Sequence, residues 1–256
     1  MEVFLMVILF VLGLCFGSFF NVVGLRIPRN EFLSTPYSVC PNCEERLHWR
    51  ELVPVVSYLI QKGNCKHCHA SISSIYPVIE LLTGILFVAS YLVTDSYVEL
   101  ITVLVFCSLF LIIIVTDLTY MIIPNRILIS FLPLFLLMRI ISPLDPWWSS
   151  IVGSIVGYLI IAFVIAISKG GMGAGDMKLF ALIGVFVGFP SIFLTIFLAT
   201  IYGLLFSLVM LLRSKFSVSK VIPFGPAIVL AGLTVYLYSN QIIKWYGSLT
   251  SILLYQ

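Results

Sequence analysis

Long apolar runs separated by short polar connections dominate this chain. A transmembrane helix needs about 20 apolar residues. On that measure the pattern predicts spans at residues 3–22, 77–93, 98–116, 122–141, 149–168, 177–189, 191–212 and 224–239. A further apolar piece covers 242–255. The run at 177–189 is short for a span and is ended by Gly188-Phe189-Pro190, so it tilts, thins the bilayer or forms a re-entrant pair with the next run. The first run carries Glu2 where a secretory signal has basic residues. No A-x-A-like site follows it, which predicts a retained first helix. One polar insert, residues 26–76, interrupts the pattern between the first two spans. A segment of that size forms a small domain only with a staple.

Composition sharpens the class. The chain of 256 residues is 61% hydrophobic and 10% charged, with a mean hydropathy of +1.16. Soluble domains carry about a quarter charged residues, so these values exclude a soluble domain and predict an all-α polytopic membrane protein of about eight transmembrane helices. The net charge of +3 says less than its distribution. Arg26, Arg29, Arg46, Arg50, Lys62 and Lys66 lie between the first two spans, Arg126 follows the third, Lys169 and Lys178 flank the fifth loop, and Arg213, Lys215 and Lys220 follow the seventh. The alternate connections lack Lys and Arg, and only Arg139 and Lys244 sit toward the other side. The positive-inside rule then places the N-terminus outside and the insert in the cytoplasm. Trp147-Trp148 fits the opposite interface, as ordinary interfacial packing.

Two acids share the cytoplasmic side. Asp117 ends the third span, and Asp176 sits in Gly173-Ala174-Gly175-Asp176-Met177-Lys178 at the mouth of the sixth. An acid at a membrane helix terminus is costly. The glycines before Asp176 remove side chains that would keep another backbone away, which suits a carboxylate that must meet an extended peptide. Two such acids predict an aspartyl protease dyad, in which like charges keep one carboxyl protonated while the other acts as base on a water. The plain reading is a pair of solvated helix-end acids. Lys178 either biases Asp176 toward ionisation or snorkels. Glu80 is a third acid near the same face, read equally well as an acid favoured by its own helix N-terminus. Gly17-Ser18 reads as helix packing and Asn21 as packing or function.

The staple is a set of cysteines. Cys40-Pro41-Asn42-Cys43 and Cys65-Lys66-His67-Cys68 have the spacing of a four-thiolate zinc site. The rival reading, two disulfides, conflicts with a reducing cytoplasm. Four thiolates close a structural site, so His48, His67 and His69 read as surface residues. Cys15 and Cys107 lie within apolar spans and read as small buried hydrophobes.

Several motifs in order resemble the type IV prepilin peptidase family, the leader peptidase/N-methyltransferases. They are Gly17-Ser18-Phe19-Phe20-Asn21-Val22 with Arg26 and Pro28, the two cysteine pairs, Trp49-Arg50-Glu51-Leu52-Val53-Pro54, Tyr76-Pro77-Val78-Ile79-Glu80-Leu81, Asp117 with Ile123-Pro124, Gly173 to Lys178, and Pro223-Phe224-Gly225-Pro226. The resemblance covers nearly the whole chain. It implies a multi-pass enzyme of the bacterial inner membrane that cuts the short basic leader of prepilins or pseudopilins at the cytoplasmic face. It also implies N-methylation of the new terminus with S-adenosylmethionine. The family's protease aspartates fall on Asp117 and Asp176. Residues 1–93, with the zinc insert, and 94–256, the peptidase, are the expected domains. By resemblance alone, methyl transfer is assigned to the insert; its residues are not readable. The lipid bilayer and the prepilin are the expected partners, with no nucleic acid. A related Gly-x-Gly-Asp protease acting on signal peptides or membrane stubs is opposed by the cysteine insert. A proton-coupled transporter is opposed by acids at helix mouths and by the lack of a repeat.

Overall fold

The computed structural model describes residues 2–32, 37–168, 171–213 and 223–254. Lys169, Lys215 and Lys220, which enter the orientation argument, lie outside the described residues, as does Gly170 beside the acidic glycine motif. Among the described residues the protein is all-helical, and its extended pairing is limited to two isolated bridges in the insert. The helices in chain order are α1 (Glu2–Arg26), α2 (Val56–Ile60), α3 (Ile75–Val93), α4 (Tyr97–Tyr120), α5 (Asn125–Ile141), α6 (Ser149–Ile167), α7 (Ala174–Val187), α8 (Ser191–Arg213) and α9 (Gly225–Leu254).

Among the described residues five helices are long and apolar enough to cross a membrane: α1, α3, α4, α6 and residues Ser191–Val209 of α8. The other expected spans are apolar but shorter, at 17 residues for α5, 14 for α7 and Gly225–Tyr238 within α9. At about 1.5 Å per residue, α7 reaches roughly 21 Å against a hydrocarbon core of about 30 Å. Exposed Phe4, Val7, Val11 and Phe19 on α1 and Phe163 on α6 are lipid-facing surface of an integral membrane protein.

Three expectations are corrected. Residues 122–124 are not helical. Met121 closes α4 in a left-handed conformation (φ 54°), its amide donating to Asp117 O at 2.9 Å, and α5 starts only after Pro124, which lacks an amide and disfavours helix at the residue before it. The apolar pieces expected at 224–239 and 242–255 are not separate elements: a single helix, α9 (Gly225–Leu254), runs through the polar residues between them. Cys15 is exposed on the outer face of α1, whereas Cys107 is buried as expected.

The chain divides into two compact units, Met1–Ile127 and Leu128–Gln256. In the first, α1 packs along α3 and α4. A Cβ on Gly13 would lie 2.6 Å from Gly84 Cα, and one on Gly17 would lie 2.6 Å from Glu80 Cα. The backbones of α1 and α3 therefore touch along a small-xxx-small stripe. In the second unit α6 and α7 meet the same way, with a Cβ on Gly153 placed 2.7 Å from Gly184 O. The short α7 is buried along most of its length. Its C-terminal end is clamped by Arg139 of α5. That guanidinium donates to Phe186 O and to Ser142 O (3.3 Å) and lies over the rings of Phe186 (4.9 Å) and Tyr236 (5.6 Å).

Candidate functional site

Asp117 sits in the last turn of α4 and is buried. The end of α4 is tied to the end of α1. Tyr120, one turn beyond the acid, donates its hydroxyl to Leu25 O at 3.0 Å, and the Arg29 guanidinium lies 5.5 Å from the centre of the Tyr120 ring. Gly24 leaves room for Val115, since a Cβ there would come within 2.6 Å of Val115 Cγ1. The acid is thus carried on a helix end anchored by its neighbours.

Asp176 is the third residue of α7. Its carboxylate accepts the Gly173 amide at 3.1 Å, and its own amide donates to Gly173 O at 3.1 Å. This reciprocal closure satisfies two groups at the helix start, and the macrodipole favours the negative charge there. A Cβ on Gly173 would lie only 3.3 Å from Asp176 Oδ2. Asp176 is half-buried, and Lys178 is exposed. Asp117 belongs to the first unit and Asp176 to the second.

The four cysteines are brought together. Their sulfurs all lie within 4.8 Å of one another, none is in a disulfide, and Cys40 Sγ stands 3.8 Å from Cys68 Sγ. A tetrahedron with Zn–S bonds of about 2.3 Å spaces its sulfurs about 3.8 Å apart. Local backbone structure builds each half. The Cys40 amide donates to Glu45 O (3.0 Å) and the Glu44 amide returns to Cys40 O (2.9 Å); the Cys65 amide donates to Ala70 O (2.8 Å) and the His69 amide returns to Cys65 O (3.0 Å). Glu44 and His69, four residues after the first cysteine of each pair, both take positive φ, 57° and 58°. The bridges Val39–Arg46 and Asn64–Ser71 stand at equivalent positions too. The two halves are copies of one knuckle that share little sequence beyond the cysteines.

The knuckles also prepare the sulfurs electrically. The amides of Cys43 and Asn42 lower the Cys40 thiol below its usual range. The Ala70 amide and the Asn42 side chain bring Cys68 down to about 6. At Cys43 the Glu45 amide favours the thiolate, but desolvation and the sulfurs of Cys40 and Cys68 outweigh it and push the group up to about 12. A cation among the sulfurs removes that mutual repulsion, and this donor set fits a soft divalent metal such as zinc.

Contacts beyond the knuckles went unread in the sequence. His67, expected as a plain surface residue, has Nε2 3.6 Å from Glu51 Oε1, which links the turn Trp49–Glu51 to the second knuckle. Glu80 does not cap its own helix. Its carboxylate accepts the Val55 amide at 2.7 Å, 25 residues back in the chain. Val55 takes φ 62°, a costly conformation for a β-branched residue, and the bond to Glu80 holds it there. Asn21 is buried and donates to Tyr76 O at 3.1 Å, which gives it a packing role between α1 and α3. The only signal in the sequence for these contacts was the presence of acids and amides at the edge of apolar runs.

Comparison with known proteins extends these observations. Residues 11–94 match the model of the bacterial peptidase A24 N-terminal domain, and residues 104–208 match that of the type IV leader peptidase family. The chain is 42% identical over 239 residues to a prepilin leader peptidase/N-methyltransferase of Bacillus subtilis (strain 168), covering 93% of this chain and 96% of the relative. Proteins of the same description from Aeromonas salmonicida (strain A449) and Stutzerimonas stutzeri are 30% and 32% identical, covering 94% and 92% of this chain and 93% and 91% of the relatives. No solved structure matches the chain. With two family models in sequence along it and relatives aligned over nearly its whole length, the chain belongs to the type IV leader peptidase family.

Proposed function

We propose that this protein is a prepilin leader peptidase and N-methyltransferase of the bacterial inner membrane. It removes the short basic leader of a prepilin or pseudopilin and methylates the new N-terminal amine with S-adenosylmethionine. The observation that carries the reading is the 42% identity, over nearly all of both chains, to a relative of that description. The N-terminus lies outside, and the insert and both acids lie at the cytoplasmic face, a reading supported by the distribution of Lys and Arg. Residues 1–93 form the N-terminal region with the insert, and residues 94–256 the peptidase.

Asp117 and Asp176 are the proteolytic pair. The ionised member takes a proton from water, the protonated member hydrogen-bonds the scissile carbonyl, and the water oxygen adds to the carbonyl carbon. Collapse of the tetrahedral adduct passes a proton to the departing amine, and no acyl-enzyme forms. The proton belongs to the pair, so its two titrations are not assigned to single residues. Cys40, Cys43, Cys65 and Cys68 would hold one zinc ion, whose role is to close the insert's fold. Purified protein incubated with a prepilin and methyl-labelled S-adenosylmethionine tests the reading. It is expected to shorten the prepilin by its leader and to label the new terminus. An intact prepilin beside a correctly inserted protein would reject it.

A further inference from the structure

The insert carries an apolar surface that its own fold does not cover. Within residues 49–60, Trp49 is 72% exposed, Leu59 68% and Ile60 76%, and Leu52, Val53 and Val56 are exposed beside them. In water, six exposed apolar side chains in twelve residues, around a helix of five, would be an aggregation hazard. Exposed basic residues stand at both ends of the stretch. Arg50 has its guanidinium 5.2 Å from the centre of the Trp49 ring, and Lys62 follows α2.

A second observation fixes where this surface stands. The amide of Val55, the residue before α2, donates to Glu80 at 2.7 Å. Glu80 is five residues inside the membrane helix α3, which begins at Ile75. At about 1.5 Å per residue that is roughly 7.5 Å along the helix. At 19 residues, α3 is barely long enough to span the hydrocarbon core. Its start therefore lies at the core's edge, and Glu80 lies inside it. The outward residues of α3 at this level, Val78 and Leu81, are exposed apolar side chains. The start of α2 is thus strapped to the side of a membrane helix at the depth where headgroups give way to acyl chains.

We propose that residues 49–60 form a membrane-interface surface. Trp49, Leu59 and Ile60 rest in the headgroup–acyl boundary of the leaflet next to α3, and Arg50 and Lys62 face its lipid phosphates. Three features favour lipid as the occupant. The surface is held level with Val78 and Leu81, the exposed apolar residues of α3. An aromatic ring with flanking basic groups is the chemistry that the interface selects. Cationic side chains beside apolar ones complement anionic headgroups. The insert is then a half-immersed platform that fixes the cysteine site at a set height above the bilayer.

The test uses the full chain in liposomes of phosphatidylcholine and phosphatidylglycerol. Replacing Trp147, Trp148 and Trp245 with phenylalanine leaves Trp49 as the single tryptophan. Its emission is expected to fall about twofold when the lipid is brominated at shallow acyl positions, as for a ring about 5–10 Å into the boundary, and to resist aqueous iodide. Quenching by iodide with no effect of bromolipid would overturn the proposal, because the surface then faces water. Protection from both quenchers would also overturn it, because protein then covers the surface. A second measurement keeps all native tryptophans and places p-benzoylphenylalanine at Ile60. Irradiation is expected to yield a lipid adduct on the peptide containing residue 60. A crosslink to a second copy, to a prepilin stem or to nothing would count against lipid.

Discussion

Asp117 and Asp176 are held by unlike surroundings at the residue scale. Asp117 is buried at a helix end anchored to α1, and Asp176 is closed onto the Gly173 amide at a helix start. Replacing either by asparagine keeps size and removes the ability to share a proton. Asp117→Asn and Asp176→Asn are each expected to lower cleavage by about 10²–10⁴-fold with insertion unchanged. On the proposal that the two act as a unit, the double variant should be little worse than either single one. Cleavage by either single variant near the wild-type rate would remove that residue from the pair. The cysteines make a separate residue-scale prediction. Purified protein is expected to carry about one zinc per chain and Cys65→Ser much less, by metal analysis, because loss of one thiolate opens a closed structural site. A metal-free protein with these thiols in disulfides would defeat it.

Helix pairs are the units that hold the acids in place. In the second unit, backbone contact between α6 and α7 needs Gly153 and Gly184 to lack side chains. Gly153→Val is expected to destabilise the protein by about 1–3 kcal/mol through overpacking, whereas Phe163→Leu on the exposed face of α6 should be near neutral. Unfolding in mixed detergent would compare the two, and equal stabilities would show that the contact is not tight. The opposite end of α7 depends on Arg139. Its fork reaches Phe186 O and Ser142 O while its plane lies against two rings. Arg139→Leu leaves the Phe186 carbonyl without that donor and should cost about 1–3 kcal/mol. Arg139→Lys should recover only part, since an ammonium lacks the planar fork. Full recovery by lysine would reduce the interaction to charge alone.

On the scale of the whole molecule, the proposed chemistries occupy different segments. The acids end α4 and begin α7, while the cysteines lie in the insert between α1 and α3. In the proposed mechanism hydrolysis uses the acid pair, whereas methyl transfer needs a bound donor and a neutral amine. Asp176→Asn is therefore expected to methylate a pre-cleaved pilin peptide at close to the wild-type rate. Cys40→Ser with Cys43→Ser should lose methylation before cleavage, because loss of metal releases the insert's fold. Parallel cleavage and methylation assays decide this. Loss of both activities together in the cysteine variant would make the insert a brace for the membrane helices instead.

By itself the sequence determined what is local or additive along the chain. Membrane spans sum transfer free energy over some twenty residues, so their positions survive small errors in where each helix begins. The clustering of the four cysteines was legible because a Cys-x-x-Cys turn is built within a few residues. The two acids stood out as candidates because charge at the end of an apolar run has few reasons to be there. Tertiary structure decided what depends on partners far along the chain. That Gly153 meets Gly184, that Glu80 holds Val55, and that Arg139 clamps Phe186 are contacts across 31, 25 and 47 residues, and no local pattern encodes them. The shared backbone of the two knuckles was hidden for a related reason. Amide–carbonyl bonds and positive φ at Glu44 and His69 repeat there while the side chains differ. Cys15 shows the same limit: hydropathy puts a residue in the membrane, but only helix packing decides whether it faces protein or lipid.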